Sequence, residues 1–257
     1  MKIRIENISK TFESKTSRVT ALENVSFDVA SGEFVCLLGP SGCGKSTLLN
    51  LVAGLDHADS GAIFCDDRAA QDTSTDRIVI FQEAALFPWL DVIGNVEFGL
   101  RMNGIPGSER RARAGRYLAM VHLARFARAN VHELSGGMKQ RVALARALAL
   151  EPAALLMDEP FAALDAQTRD LLHGELQEIW ATTRKTILFV THNVREAVRL
   201  GDRVLVMSAR PGHIKREFKI NLPRPREMED HALVDLARAI IAELKDEVNR
   251  ALATEIN

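Results

Sequence analysis

Cysteine, net charge and long apolar runs are all scarce in this chain. Only three cysteines occur in 257 residues. They stand at Cys36, Cys43 and Cys65, an odd number without paired short spacing, which argues against a disulfide framework or a zinc ribbon and fits a reducing compartment. The 33 basic and 34 acidic residues leave a net charge of -1, so no overall basic field draws the chain onto nucleic acid or anionic lipid. No apolar stretch approaches the roughly 18 residues that a spanning helix needs. The start, Met1 to Glu6, alternates charged and apolar side chains like a strand and lacks the apolar centre of a signal peptide. The chain is therefore expected not to cross a membrane itself. Internal repeats and low-complexity segments are lacking too. What is plentiful is apolar side chain in short pieces: a hydrophobic content of 47% suffices for a sizeable core in one large or two modest units.

Strand-like runs at Ile3 to Ile8, Val25 to Val29, Phe34 to Leu38, Ala62 to Cys65 and Ile78 to Phe81 precede a helical middle from about Val92 to Leu150. Leu155 to Met157, Ile187 to Val190 and Val204 to Met207 then read as buried strands of a parallel sheet, separated by helical patterns over Ala166 to Thr183 and Val194 to Leu200. This alternation predicts α/β architecture with an inserted helical subdomain. Arg110, Arg111, Arg113, Arg116, Arg125 and Arg128 in the helical middle could form a nucleic-acid patch, but a solvated helix face is the plainer reading. Pro211-Gly212 ends the alternation, a short strand-like piece follows, and Pro223 and Pro225 bracket a break. In the last helix Leu233, Leu236, Ala237, Ile240, Ile241, Leu244 and Val248 recur at helical spacing. That stripe is expected to pack on the body of the domain, with a regulatory role as the alternative.

Gly39-Pro40-Ser41-Gly42-Cys43-Gly44-Lys45-Ser46-Thr47 follows an apolar strand and opens a helix, the setting that a phosphate-binding loop requires. A triphosphate needs a concave shell of backbone N–H donors, and glycines let the chain curl that closely. The helix N-terminus adds donors where its dipole favours anions. Lys45 is then expected to reach the β- and γ-phosphates and the Ser46 hydroxyl to ligate Mg²⁺. Cys43 could be a redox switch, but a small side chain tolerated in the loop is the simpler reading. Further on, Ala154 to Met157 reads as a strand ending in Asp158 and Glu159, whose side chains leave the strand in different directions. Asp158 can hold Mg²⁺ through water while Glu159 polarises the attacking water.

A second helix N-terminus suited to an anion lies at Leu134-Ser135-Gly136-Gly137-Met138-Lys139-Gln140-Arg141. One nucleotide has a single γ-phosphate, so two such ends suggest two chains sharing nucleotides. With these motifs in order, residues 2 to 220 resemble the ATP-binding cassette family. The resemblance implies a P-loop NTPase (RecA-like) core with an antiparallel β subdomain and an inserted α-helical signature subdomain. It places the nucleotide-binding domain over 1–220, the helical insert over about 88–150 and a C-terminal helical extension over 221–257. It further implies that Ser135, Gly136 and Gly137 of one copy cap the ATP held by the phosphate loop of a second copy. Phe12 stands where an aromatic stacks on adenine, although alone it would read as core. Gln82 resembles the glutamine that touches Mg²⁺ and senses the membrane partner. Asp165, in Ala163-Leu164-Asp165, resembles the loop that crosses the dimer interface, and His192 the switch histidine at the γ-phosphate. Met138 departs from the wider family, which most often has Gln there.

Leu86-Phe87-Pro88-Trp89-Leu90, Glu159-Pro160-Phe161-Ala162-Ala163-Leu164-Asp165 and Ser208-Ala209-Arg210-Pro211-Gly212 resemble the branch of importers that serves nitrate, sulfonates and taurine. The resemblance implies an ATPase at the cytoplasmic face of the inner membrane, bound peripherally to transmembrane permease subunits and indirectly to a solute-binding protein, with no nucleic-acid partner. Phe87 and Trp89 would be costly to expose without a partner, so they either line the groove for the permease or pack between subdomains. A soluble cassette ATPase acting on DNA or in translation and an exporter motor are the competing readings.

Overall fold

A computed structural model of the protein describes residues 1–14, 18–227 and 230–255, with side chains to 251. Of the extension expected over 221–257, residues 228, 229, 256 and 257 lie outside the described residues. In chain order the elements begin with β1 (Ile3–Glu13), β2 (Arg18–Val29), β3 (Phe34–Leu38), α1 (Lys45–Ala53), β4 (Ser60–Cys65) and β5 (Arg68–Ala69). There follow β6 (Arg77–Ile80), α2 (Val92–Met102), α3 (Gly107–Met120), α4 (Gly136–Ala149), β7 (Ala154–Asp158) and α5 (Ala166–Thr183). The chain continues through β8 (Thr186–Thr191), α6 (Val194–Leu200), β9 (Arg203–Met207), β10 (Ile214–Lys219) and α7 (His231–Glu255). Two compact units result, one formed by Met1–Ser74 with Arg184–Asn257 and the other by Thr75–Thr183.

In the first unit β1 alternates, burying Ile3, Ile5 and Ile8, and pairs antiparallel with β2 and β4 in the order β2-β1-β4-β5. By contrast β3 is buried at every residue, as a strand covered on both faces must be. It runs parallel to β8, from Phe34 beside Ile187 to Leu38 beside Thr191, and to β9 on its other edge. β10 closes that edge antiparallel to β9. The parallel register matters for function: the loops that begin at Gly39 and His192 leave adjacent strand ends, the place where α/β sheets bind ligands.

α7 packs in this unit through Leu233, Ala237, Ile240 and Leu244, all buried. The expected stripe is partly wrong here. Ile241 and Val248 are 54% and 42% exposed, whereas Glu247 is 1% exposed. The buried positions recur at spacings of three and four residues, and Ile241 and Val248 each fall one residue, about 100°, beyond that line.

In the second unit β6 runs parallel to β7, with Ile80 beside Met157. The loops carrying Gln82 and Glu159 thus also leave neighbouring strand ends. The helical middle divides into α2, α3 and α4, with two short 3₁₀ turns between α3 and α4. Asp91 caps α2, its carboxylate accepting from the Gly94 amide at 2.7 Å, and Gly94 permits that approach. The arginines of α3 are answered by carboxylates: Arg110 and Arg111 meet Glu97 at 3.5 and 2.6 Å, and Arg116 meets Glu151 at 2.6 Å. That supports the helix-face reading over a patch for phosphates.

Candidate nucleotide site

The phosphate loop turns where glycine is needed. Gly44 has φ 100°, and a Cβ there would lie 2.6 Å from Leu22 Cδ2 and 2.7 Å from the Ala21 carbonyl oxygen. Gly44 is also the N-cap of α1, with no side chain capping the helix and no acidic residue in its first turn. First-turn amides with neither a cap nor a nearby carboxylate are the donors that an anion completes. Lys45 is buried, and its ammonium donates to the carbonyls of Gly39 and Pro40 at 2.9 and 2.8 Å. The charge that would meet phosphate is thus held against the loop by two exchangeable bonds. Ser41 and Ser46 are exposed, Thr47 half-buried. Cys43 is buried with its Sγ 3.8 Å from Lys45 Nζ. Burial pushes its thiol up, against the pull of Lys45, which favours packing over redox chemistry.

Phe12, on β1, is 46% exposed rather than core. Lys10 Nζ lies 5.2 Å from its ring centroid. His192 is exposed immediately after β8.

In the second unit Asp158 ends β7, half-buried, and Glu159 follows with φ 45°. A left-handed glutamate is uncommon and costs backbone energy, a feature that clusters at functional sites. Gln82 is exposed in the loop after β6. That loop is held by α4: Gln140 Nε2 donates to Phe81 O at 3.4 Å, and Arg146 donates to the carbonyls of Ala84 and Ala85 at 3.0 and 2.9 Å. Gln140 and Arg146 were not among the expected site residues. Their sequence signal is weak, a polar side chain set among the buried alanines of a helix.

Ser135 is the N-cap of the 14-residue α4, its hydroxyl accepting from the Met138 amide at 3.3 Å. Gly136 is exposed, while Gly137 is buried where a Cβ would lie 2.5 Å from Thr168 Cγ2. Thr168 in turn donates its amide to Asp165 at 3.0 Å, a bond that holds the exposed Asp165 carboxyl below the usual range. The signature glycines and Asp165 therefore share one corner of this unit.

Beside Gln82 lies an apolar groove of about 310 Å³ lined by Ile78, Phe81, Phe87, Phe98, Ala143 and Leu150. The two aromatics of the Leu86 to Leu90 segment touch, with ring centroids 5.4 Å apart, but differ in burial. Phe87 packs on Phe98 with centroids 4.3 Å apart, and Trp89 is 74% exposed.

A glycine cradle beyond one parallel strand, paired carboxylates beyond another and a serine-capped helix belong to the nucleoside triphosphatases with a P-loop fold. The family model described as ABC transporter matches residues 22–162, and the chain belongs to that family of ATP-binding, ATP-hydrolysing cassettes. It is 48% identical to an uncharacterised ABC transporter ATP-binding protein, MJ0412 of Methanocaldococcus jannaschii, over 98% of this chain and 94% of the relative. It is 49% identical to the nitrate import ATP-binding protein NrtD of Synechocystis, over 88% of this chain and 85% of the relative. With the taurine import ATP-binding protein TauB of Burkholderia pseudomallei it shares 48% identity over 87% of this chain and 86% of the relative. Among solved structures, a dimeric form of the cassette MJ0796 superposes with a TM-score of 0.76 at 36% identity, covering 86% of this chain and all of that one. A second dimeric structure of MJ0796, in a post-hydrolysis state with ADP and Pi, gives 0.75 at 35% identity with the same coverage.

Proposed function

We propose that this chain is the ATPase of an importer for a small anionic solute such as nitrate, a sulfonate or taurine. Two copies enclose two ATP molecules and drive separate transmembrane permease subunits from the cytoplasmic face of the inner membrane, with a solute-binding protein as an indirect partner. The observation that carries this reading is the 48–49% identity to nitrate and taurine import ATP-binding proteins along more than four fifths of the chain. An apolar groove beside Gln82 and the exposed Trp89 support docking of a membrane subunit. The paired arginines of α3 support the expectation that nucleic acid is no partner.

The nucleotide-binding domain is assigned to 1–220, its helical part to about 88–150, and the extension to 221–257. Within it Phe12 stacks on adenine, and the loop from Gly39 to Thr47 wraps the phosphates with its amides. Lys45 trades the Gly39 and Pro40 carbonyls for β- and γ-phosphate oxygens. Glu159 orients and deprotonates the attacking water, and His192 contacts the γ-phosphate. Ser135, Gly136 and Gly137 of the second copy close over it, with Asp165 at the interface. Among the described residues no group of His, Cys, Asp or Glu could hold a metal alone, and a hydroxyl, an amide oxygen and a water-bridged carboxylate suit a hard ion that phosphates also ligate. Mg²⁺ held by Ser46, Gln82 and Asp158 would neutralise charge on the phosphates.

The test is Glu159→Gln. ATP binding should persist, hydrolysis should fall by about 10²-fold or more, and with ATP the variant should elute as a dimer in size-exclusion chromatography. Normal turnover would remove Glu159 from this role. Recovery of the native protein with DNA or ribosomes, in place of a multispanning subunit, would overturn the transport assignment.

A further inference from the structure

The turn 208–212 between β9 and β10 touches the phosphate loop at two points. Gly212 lies so near that a Cβ on it would fall 2.0 Å from the Cys43 carbonyl oxygen. Its backbone is clamped on β2, donating to Ala21 O at 2.9 Å and accepting from the Glu23 amide at 3.0 Å. Arg210 Nε donates to Gly42 O at 3.1 Å, and a Cβ on Gly42 would lie 2.7 Å from Arg210 Nη2. Ser208 stiffens the turn from inside, its Oγ donating to Pro211 O at 3.0 Å and accepting from the His213 amide at 3.0 Å.

One more amide of this turn is used, and its partner comes from the far end of the chain. Ala209 N donates at 2.8 Å to Glu247 Oε2 on α7. Glu247 is the buried acid in the otherwise apolar stripe of that helix, and it also meets Lys215 at 3.1 Å and Arg250 at 3.0 Å. A buried carboxylate is costly unless bonded. A leucine would serve packing alone, whereas a carboxylate reaches and orients a backbone amide.

We propose that Glu247 is a positioning residue for ATP binding: it fixes the 208–212 turn, and the turn, through Arg210 and Gly212, sets the shape of the phosphate loop at Gly42 and Cys43. The inference rests on residues 39–47 being the ATP cradle. The packing of α7 and the nucleotide affinity are then linked, and loosening one weakens the other.

The test compares the full chain with Glu247→Ala, Glu247→Gln, Arg210→Ala and Lys45→Ala, reading the Kd of a fluorescent ATP analogue and amide hydrogen exchange across 39–47. Glu247→Ala should weaken the analogue about fivefold to tenfold, the scale of one ordinary lost hydrogen bond, and speed exchange in the loop. Glu247→Gln keeps an acceptor for the Ala209 amide and should restore most of both. Arg210 is exposed, so Arg210→Ala should reproduce the affinity loss without unfolding, and it decides the matter if Glu247→Ala does not fold. A lower melting temperature in Glu247→Ala with unchanged affinity and loop exchange, or an Arg210→Ala variant that alters neither, overturns the proposal. Undiminished binding by Lys45→Ala would instead overturn the cradle assignment itself.

Discussion

Gly44 shows what the cradle asks of a single residue. Its φ of 100° and the backbone carbonyl 2.7 Å from a virtual Cβ leave no room for a side chain. Gly44→Ala should therefore cost more than tenfold in ATP affinity and about 1–3 kcal/mol of stability, read by calorimetric titration and thermal melting. Glu159 is the opposite case, a side chain kept in a left-handed conformation that glycine would adopt more cheaply. A carboxylate stands there despite that conformational cost, as its proposed chemistry requires. Phe12 was ambiguous as a letter in a strand. Its exposure sets aside the core reading.

At the scale of elements, α7 shows where periodicity misleads. Leu233, Ala237, Ile240 and Leu244 formed the expected face, but the next turn buries a carboxylate in place of Val248. Burial pushes the Glu247 carboxyl up, yet the bonds from the Ala209 amide and Lys215 outweigh it and hold it below its ordinary value. Arg216 and Lys215 likewise lower Glu243, while the two glutamates raise Lys215. Carboxyls depressed on folding add stability above their unfolded value near 4.5 and lose it as pH falls through the folded values. The raised Lys215 adds stability below its ordinary 10.5 and loses it as pH rises through the folded value. The cluster's contribution should thus be full between those limits. Melting temperatures measured from pH 3 to 7 should fall more steeply below about pH 4.5 in the parent than in a Glu243→Gln, Glu247→Gln double variant. Parallel slopes would remove the cluster from the pH response.

For the whole molecule, the division into two units sorts the proposed site residues. The phosphate loop and His192 belong to one unit, while Gln82, Asp158, Glu159, Ser135 and Asp165 belong to the other. Trp89 belongs to no core, being 74% exposed. Trp89→Ala should shift the melting temperature by no more than about 2 °C yet reduce recovery of the chain with the proposed membrane subunit. Unchanged co-purification would count against this docking surface.

The chain order of residues determined the motifs outright. A loop of glycines before a lysine, a strand ending in two acids and a serine before a helix are local patterns, because phosphate cradles, strand ends and helix caps are made by neighbours in sequence. β3, α5 and α6 kept the bounds that apolar periodicity suggested, for the same reason. Tertiary structure alone decided which distant residues support those motifs: Arg146 under the Gln82 loop, Thr168 against Gly137, and Glu247 behind the phosphate loop. Each is a polar or small side chain in a helix, indistinguishable by spacing from a solvent-facing one. Its role exists only where folding brings it against a backbone group far away along the chain.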